Sequence, residues 1–192
     1  GIDGLAISVS SIALVGNLYL FAFSKNDSLL FLTILLLGTC TAFYKYNFKP
    51  ASIIMGDGGS YFIGFNLASI SLLSVTNSDG VTFLQTLFAF FFVPIVDMIF
   101  VIFKRLLHSK SPFFGDRTHI HHRLINKGFN EIQIVIILCV ITQWTIVIGT
   151  LFINKNFYFI KLFISSILMV ASIFYIFNNR KKDINNLLDK VR

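Results

Sequence analysis

The sequence predicts an all-α fold, a polytopic transmembrane helical bundle with about six membrane-spanning helices. Three observations lead there. Of the 192 residues, 55% are hydrophobic and 13% charged, with a mean hydropathy of +0.77. Soluble domains are nearer one quarter charged. The apolar residues also fall into blocks suited to a hydrocarbon core about 30 Å thick, which takes roughly 20 helical residues to cross. No block alternates apolar and polar residues at period two, so the many Phe and β-branched residues do not signal a barrel.

The blocks run over residues 5–23, 29–44, 61–76, 82–103, 132–153 and 157–177. The third is short and contains Gly64 and Ser69. Turn formers at Lys25-Asn26-Asp27, Asn77-Ser78-Asp79-Gly80 and Asn154-Lys155-Asn156 make the connections on one side brief. The connections on the other side, 45–60 and 104–131, are longer. With the tail they hold 13 of the 16 Lys and Arg residues. Short loops rich in Lys and Arg stay inside, so this side, and Gly1 with it, is expected in the cytoplasm. The net charge of +7 is thereby explained without nucleic acid. Cys40 and Cys139 fall within apolar blocks and read as small core residues, not as a disulfide or zinc pair. Residues 1–177 form the expected membrane unit, with no signal peptide. Residues 178–192 form a basic tail in which Ile184, Leu187, Leu188 and Val191 share one helical face, as an amphipathic helix lying on the cytoplasmic membrane surface would.

Three segments carry the chemistry. Met55-Gly56-Asp57-Gly58-Gly59-Ser60 precedes the third block. Its glycines allow close approach of backbone to a ligand. Ser60 suits an N-cap, and a helix start offers free N–H groups to a phosphate. Asp57 supplies one hard carboxylate, as Mg²⁺ bridging a diphosphate requires. A capped turn with Asp57 merely solvated explains the segment equally well, and no Gly-Lys-Ser/Thr ending makes it a Walker loop.

The second segment is the loop 104–131, which holds all four histidines of the chain, His108, His119, His121 and His122. Three of them lie within four residues, between Arg117 and Arg123, a dense array of donors for phosphate oxygens. Zinc is the less favoured reading, since the run lacks Cys partners and closed tetrahedral spacing. A solvated basic loop explains the Lys and Arg but not the clustered His. The third segment is Pro94-Ile95-Val96-Asp97 in the fourth block. Pro94 frees a helix carbonyl, and Asp97 is an ionisable residue in an apolar run, seven residues before Lys104. Asp97 serves either a site or the packing of a neighbouring helix.

Together these segments resemble the polyprenyl-phosphate N-acetylhexosamine-1-phosphate transferase superfamily, glycosyltransferase family 4. Gly56 to Ser60 matches its Gly-Asp-x-Gly-Ser motif, Pro94 to Asp97 its Pro-x-x-Asp helix, and Asp116 to Leu124 its Asp-Arg-x-His-x-His-His-Arg-Leu loop. Gly1-Ile2-Asp3-Gly4-Leu5 is similar to the end of a fourth motif that finishes in Asp-Gly-Leu. The likeness in motifs runs from Gly1 to about Phe129; beyond it only hydropathy agrees.

The resemblance implies a bacterial inner-membrane enzyme of ten or eleven transmembrane helices, with its active site facing the cytoplasm. It would transfer a sugar-1-phosphate from a UDP-sugar to undecaprenyl phosphate, releasing UMP, with Mg²⁺ or in its place Mn²⁺. Asp57 would be the metal ligand. Gly1, Ile2 and Asp3 would belong to a uridine pocket, while Arg117, His119, His121 and His122 would contact the diphosphate and sugar. Gly56, Ser60, Asp97, Asp116 and Arg123 join them as expected substrate-binding residues. The His-Ile-His-His-Arg form is similar to the branch that takes UDP-N-acetylhexosamines, including UDP-GlcNAc, to start O-antigen, enterobacterial common antigen or teichoic-acid linkage units. The expected partners are thus a UDP-sugar, undecaprenyl phosphate and the lipid bilayer, with a homodimer also allowed.

Two departures stand out. Ile54 occupies a place where relatives commonly carry an aromatic that stacks on uracil, and the family's paired aspartates of an early cytoplasmic loop are absent. The chain is therefore expected to be N-terminally truncated and inactive by itself. Two other readings stand beside the enzyme. One is a transporter or channel subunit with Asp97 and the histidines on a cation path. The other is a non-catalytic fragment retained as a partner.

Overall fold

The computed structural model describes residues 2–73, 80–109, 111, 119–153, 165–176 and 178. Every regular element among them is helical: α1 (Leu5–Ser24), α2 (Asp27–Asn47), α3 (Gly56–Leu73), α4 (Gly80–Leu107), α5 (Ile120–Asn126), α6 (Glu131–Ile153) and α7 (Ser165–Ile176). Three of the seven are long and apolar enough to cross a membrane, over Leu5–Ala22, Asp27–Asn47 and Glu131–Gly149. α7 is apolar but only 12 residues long as described. The basic tail beyond residue 178 lies outside the described residues, as does the turn at 77–79.

Local chemistry sets the helix ends. α1 stops at Lys25, which takes a left-handed conformation (φ 54), and Phe21 accepts from the N–H groups of both Lys25 and Asn26. Asn26 then caps α2, its side chain accepting from the N–H of Leu29 at 3.2 Å, with Asp27 in the favourable first turn. A reciprocal cap opens α6. Asn130 Oδ1 accepts from the Gln133 N–H at 2.9 Å, and Gln133 Oε1 accepts from the Asn130 N–H at 3.0 Å.

The third block departs from the sequence expectation. The helix begins at Gly56, not near Tyr61, because Gly56 (φ 64) turns the chain directly into it. Ser60 is consequently not an N-cap; its hydroxyl bonds back to the Asp57 carbonyl at 3.0 Å within the first turn.

α1 is the centre of the packing. It lies against α2 and α6 and also touches α3 and α4, while α4 packs along α6. Ile7 and Leu14 are fully buried on α1, beside Leu36 and Cys40 of α2, Ile63, Leu67 and Ile70 of α3, and Ile146 of α6. Several polar groups inside bond along their own helices. Asn17, Thr33 and Thr142 donate to the carbonyls of Ala13, Leu29 and Leu138, as helices in an apolar surrounding require. The outer faces are apolar, with Phe65, Leu72, Phe103 and Phe174 all well exposed.

Candidate functional site

Four contacts gather the polar segments at one end of the bundle. Asp3 accepts from the N–H of Ala51 at 3.2 Å, and Gly4 donates to Asn47 Oδ1 at 3.3 Å. Lys49 pairs with Glu131 at 3.1 Å, and Asp97 with His119 at 2.9 Å. The start of α1 thus meets the end of α2, the loop between α2 and α3 meets the start of α6, and the start of α5 meets α4 at Asp97. Asp57 and the histidines, the two segments expected to act together, lie at the same end.

The first corner is built by backbone. Gly4 has φ 74, and a Cβ there would come within 3.1 Å of the Phe48 ring, so glycine is required. Buried Asn47 accepts from Gly4 and donates to the Ile53 carbonyl at 2.9 Å, tying the start of α1 to the loop that leads into α3. Sequence reasoning did not single out Asn47. Its signal is an asparagine at the end of an apolar block, just before Phe-Lys-Pro. Asp3, expected at a uridine pocket, spends one carboxylate oxygen on the same loop.

That loop delivers Asp57 in the first turn of α3, exposed, with no bond to its carboxylate among the described residues. The first four N–H groups of a helix have no intrahelical partner, so Gly56 to Gly59 present theirs beside it. Gly59 is sterically fixed too, since a Cβ would meet Met55 Cγ at 2.7 Å. Among the described residues no three His, Cys, Asp or Glu side chains form a metal cage. One open carboxylate still fits Mg²⁺, which commonly takes one or two carboxylates, with substrate phosphates and water completing its shell. Ile54, just before, is 82% exposed.

The second corner is built by one side chain. Asp97 of α4 reaches the loop 22 residues further on. One oxygen meets Nδ1 of His119 at 2.9 Å, and the other accepts the N–H of Ile120 at 2.7 Å. This places the start of α5. The His119 and His121 rings stack at 5.7 Å and 12°, and His121 meets His122 at 4.2 Å. Burial holds His121 below the ordinary imidazole range; His122 and His119 push the same way and Asp97 opposes them. Its Nε2 is buried, without a hydrogen-bond partner among the described residues. Arg123 lies over the Phe100 ring at 4.3 Å. His108 stands apart from the cluster, its ring against the Lys104 carbonyl at the end of α4. Asp116 and Arg117 lie outside the described residues.

Between the two corners is a cavity of roughly 280 Å³, lined by Ile2, Leu5, Val93, Pro94, Asp97 and His121 among others. Apolar walls surround Ser10, Asp97 and His121. A second, larger hollow between α1, α2 and α6 is lined almost wholly by apolar groups.

Apolar helices long enough to cross a membrane thus carry a carboxylate corner and an imidazole corner at one end, an arrangement that by itself fits several kinds of protein. The comparisons narrow it: the chain matches the family model of glycosyl transferase family 4 over residues 1–75. It is 32% identical over 171 residues to a probable undecaprenyl-phosphate N-acetylglucosaminyl 1-phosphate transferase of Bacillus subtilis, covering 88% of this chain and 47% of that protein. It is 30% identical over 162 residues to the Escherichia coli K12 undecaprenyl-phosphate alpha-N-acetylglucosaminyl 1-phosphate transferase, covering 79% and 42%. A decaprenyl-phosphate N-acetylglucosaminephosphotransferase of Mycobacterium tuberculosis H37Rv is 31% identical over 160 residues, covering 72% and 39%. The chain spans less than half the length of these relatives. A match of 171 residues necessarily continues past Phe129, so the likeness extends further than the motifs alone indicate.

Proposed function

We propose that this chain is part of an enzyme that transfers GlcNAc-1-phosphate from UDP-GlcNAc to undecaprenyl phosphate, releasing UMP and starting a cell-envelope polysaccharide. The observation that carries the reading is that Asp57, at the start of α3, and the histidines around the start of α5 lie at the same end of an apolar bundle. The names of the similar proteins support the donor and the acceptor. The full enzyme is taken to span the bacterial cytoplasmic membrane with more helices than three, this end facing the cytoplasm, as the skew of Lys and Arg suggests.

A phosphate oxygen of undecaprenyl phosphate attacks the β-phosphorus of the UDP-sugar. The new P–O bond forms as the bond to the UMP oxygen breaks, so the lipid carries the sugar diphosphate and UMP leaves. Every reacting group is anionic, so charge stabilisation dominates. Asp57 would hold Mg²⁺, which neutralises diphosphate charge when bound. Arg123, with His121 and His122, orients phosphate and sugar oxygens as hydrogen-bond donors, and His119 meets the substrate through its second ring nitrogen. The N–H groups at the start of α3 serve the same end. The acceptor explains the membrane setting, because its phosphate sits at the interface while its prenyl chain stays in hydrocarbon.

UMP release from UDP-GlcNAc and undecaprenyl phosphate, measured on membranes holding the full-length gene product, tests the reading. Release that depends on Mg²⁺ and falls in Asp57→Asn is expected. Undiminished release in that variant would discard the metal role, and no labelled lipid product at all would discard the transferase.

A further inference from the structure

We infer that Asp97 is a positioning residue that acts through His119, an inference that rests on the transferase reading above. Asp97 belongs to α4, ten residues before its end, and its side chain is 18% exposed against 39% for His119. An ionised carboxylate can only accept hydrogen bonds. The 2.9 Å contact therefore keeps the His119 proton on Nδ1 and leaves Nε2 as the ring nitrogen able to meet a ligand. The second oxygen takes the Ile120 N–H, so one group sets both the tautomer of His119 and the placement of α5.

The effect passes along the cluster. His119 stacks on His121, and His121 leans on His122, so three imidazoles follow from one carboxylate. α5 cannot hold this arrangement alone, since seven residues are too few for an independently stable helix. The desolvation of Asp97 within an apolar helix is offset by these two bonds. The sequence leaves its role open between a site and a packing partner; the geometry makes it the fixed point of the histidine corner.

Asp97→Asn separates orientation from shape. The amide is isosteric and keeps an acceptor for the Ile120 N–H, but its NH₂ can donate to Nδ1 and favour the opposite tautomer. In membranes holding the full-length gene product, kcat for UMP release should fall roughly 10- to 100-fold, with part recovered in Asp97→Glu. Added to His119→Ala, the Asn change should lower the rate by less than about 2-fold, because both act on one group. Nitrogen-15 spectra of the detergent-solubilised protein at alkaline pH should show an Nδ1–H tautomer at His119, assigned by its loss in His119→Ala and reversed in Asp97→Asn. Full transfer by Asp97→Asn, additive losses, or an Nε2–H tautomer in the wild type would overturn the inference. Absence of transfer by the wild type strikes the transferase reading instead, and the spectrum, which needs no substrate, still decides the Asp97–His119 pair.

Discussion

Around Asp57 the backbone places the functional group, whereas around His119 a distant carboxylate does. In the first corner, left-handed glycines at Gly4 and Gly56 and the bridging amide of Asn47 shape a loop that carries an open carboxylate. In the second, Asp97 reaches across 22 residues and pins a seven-residue helix with three clustered rings. On the proposed reading the difference follows from what each group would do. A carboxylate open to solvent is free to receive Mg²⁺ together with a diphosphate. Imidazoles have two distinct nitrogens, so they work as a set only when something chooses which one carries the proton.

That contrast can be broken experimentally, and the largest effect is expected at Asp57. Asp57→Asn should lower kcat by at least about 100-fold while leaving the thermal unfolding midpoint within error, because the side chain is exposed and bonds to nothing described. A matching fall in melting temperature would show that Asp57 is structural. Asn47→Ala should behave in the opposite way. It leaves the Gly4 N–H and the Ile53 carbonyl without their partner in a buried position, for roughly 1–3 kcal/mol of stability. Chemical unfolding in detergent measures it, and an unchanged midpoint would mean the loop holds itself.

Gly4→Ala should cost about 1–2 kcal/mol, from its left-handed backbone and the close Phe48 ring. At the histidine corner the expected signal is pH dependence. His121 is held below its ordinary value of 6.5, so the unfolded chain binds the proton more readily. Its stabilising contribution is complete above about pH 6.5 and is lost as pH falls from there through the lowered folded value. His121→Gln should flatten that part of the stability curve, and a slope surviving the change would assign it elsewhere. Smallest of all, Lys49→Ala removes a half-exposed ion pair with Glu131 and should shift stability by less than about 1 kcal/mol.

The two corners were also unequally legible in the sequence. The spacing of Gly56 to Ser60 points to a ligand loop with a helix from about Tyr61, whereas the helix starts five residues earlier, at Gly56. Ser60 looks like a cap because caps are judged by residue type, while the actual turn is made by the φ of Gly56. The His-x-His-His run was visible as a cluster, but neither its stacking nor its separation from His108 could be read. Hydropathy located α1, α2, α4 and α6 to within a few residues, since apolar length is a property of whole segments, whereas six membrane spans are not borne out among the described residues. The helix ends depended on individual caps such as Asn26 and Asn130.

By itself, then, the sequence determined the helical class, the long apolar segments and the pooling of polar chemistry in alternate connections. Those properties follow from hydrophobic length and charge, which are additive along the chain. Only the tertiary structure decided that Asp97 grips His119 and that Asn47 joins α1 to the loop before α3. A hydrogen bond is short and directional, so a partner 22 or 43 residues away is chosen by how the helices pack, which no local pattern encodes.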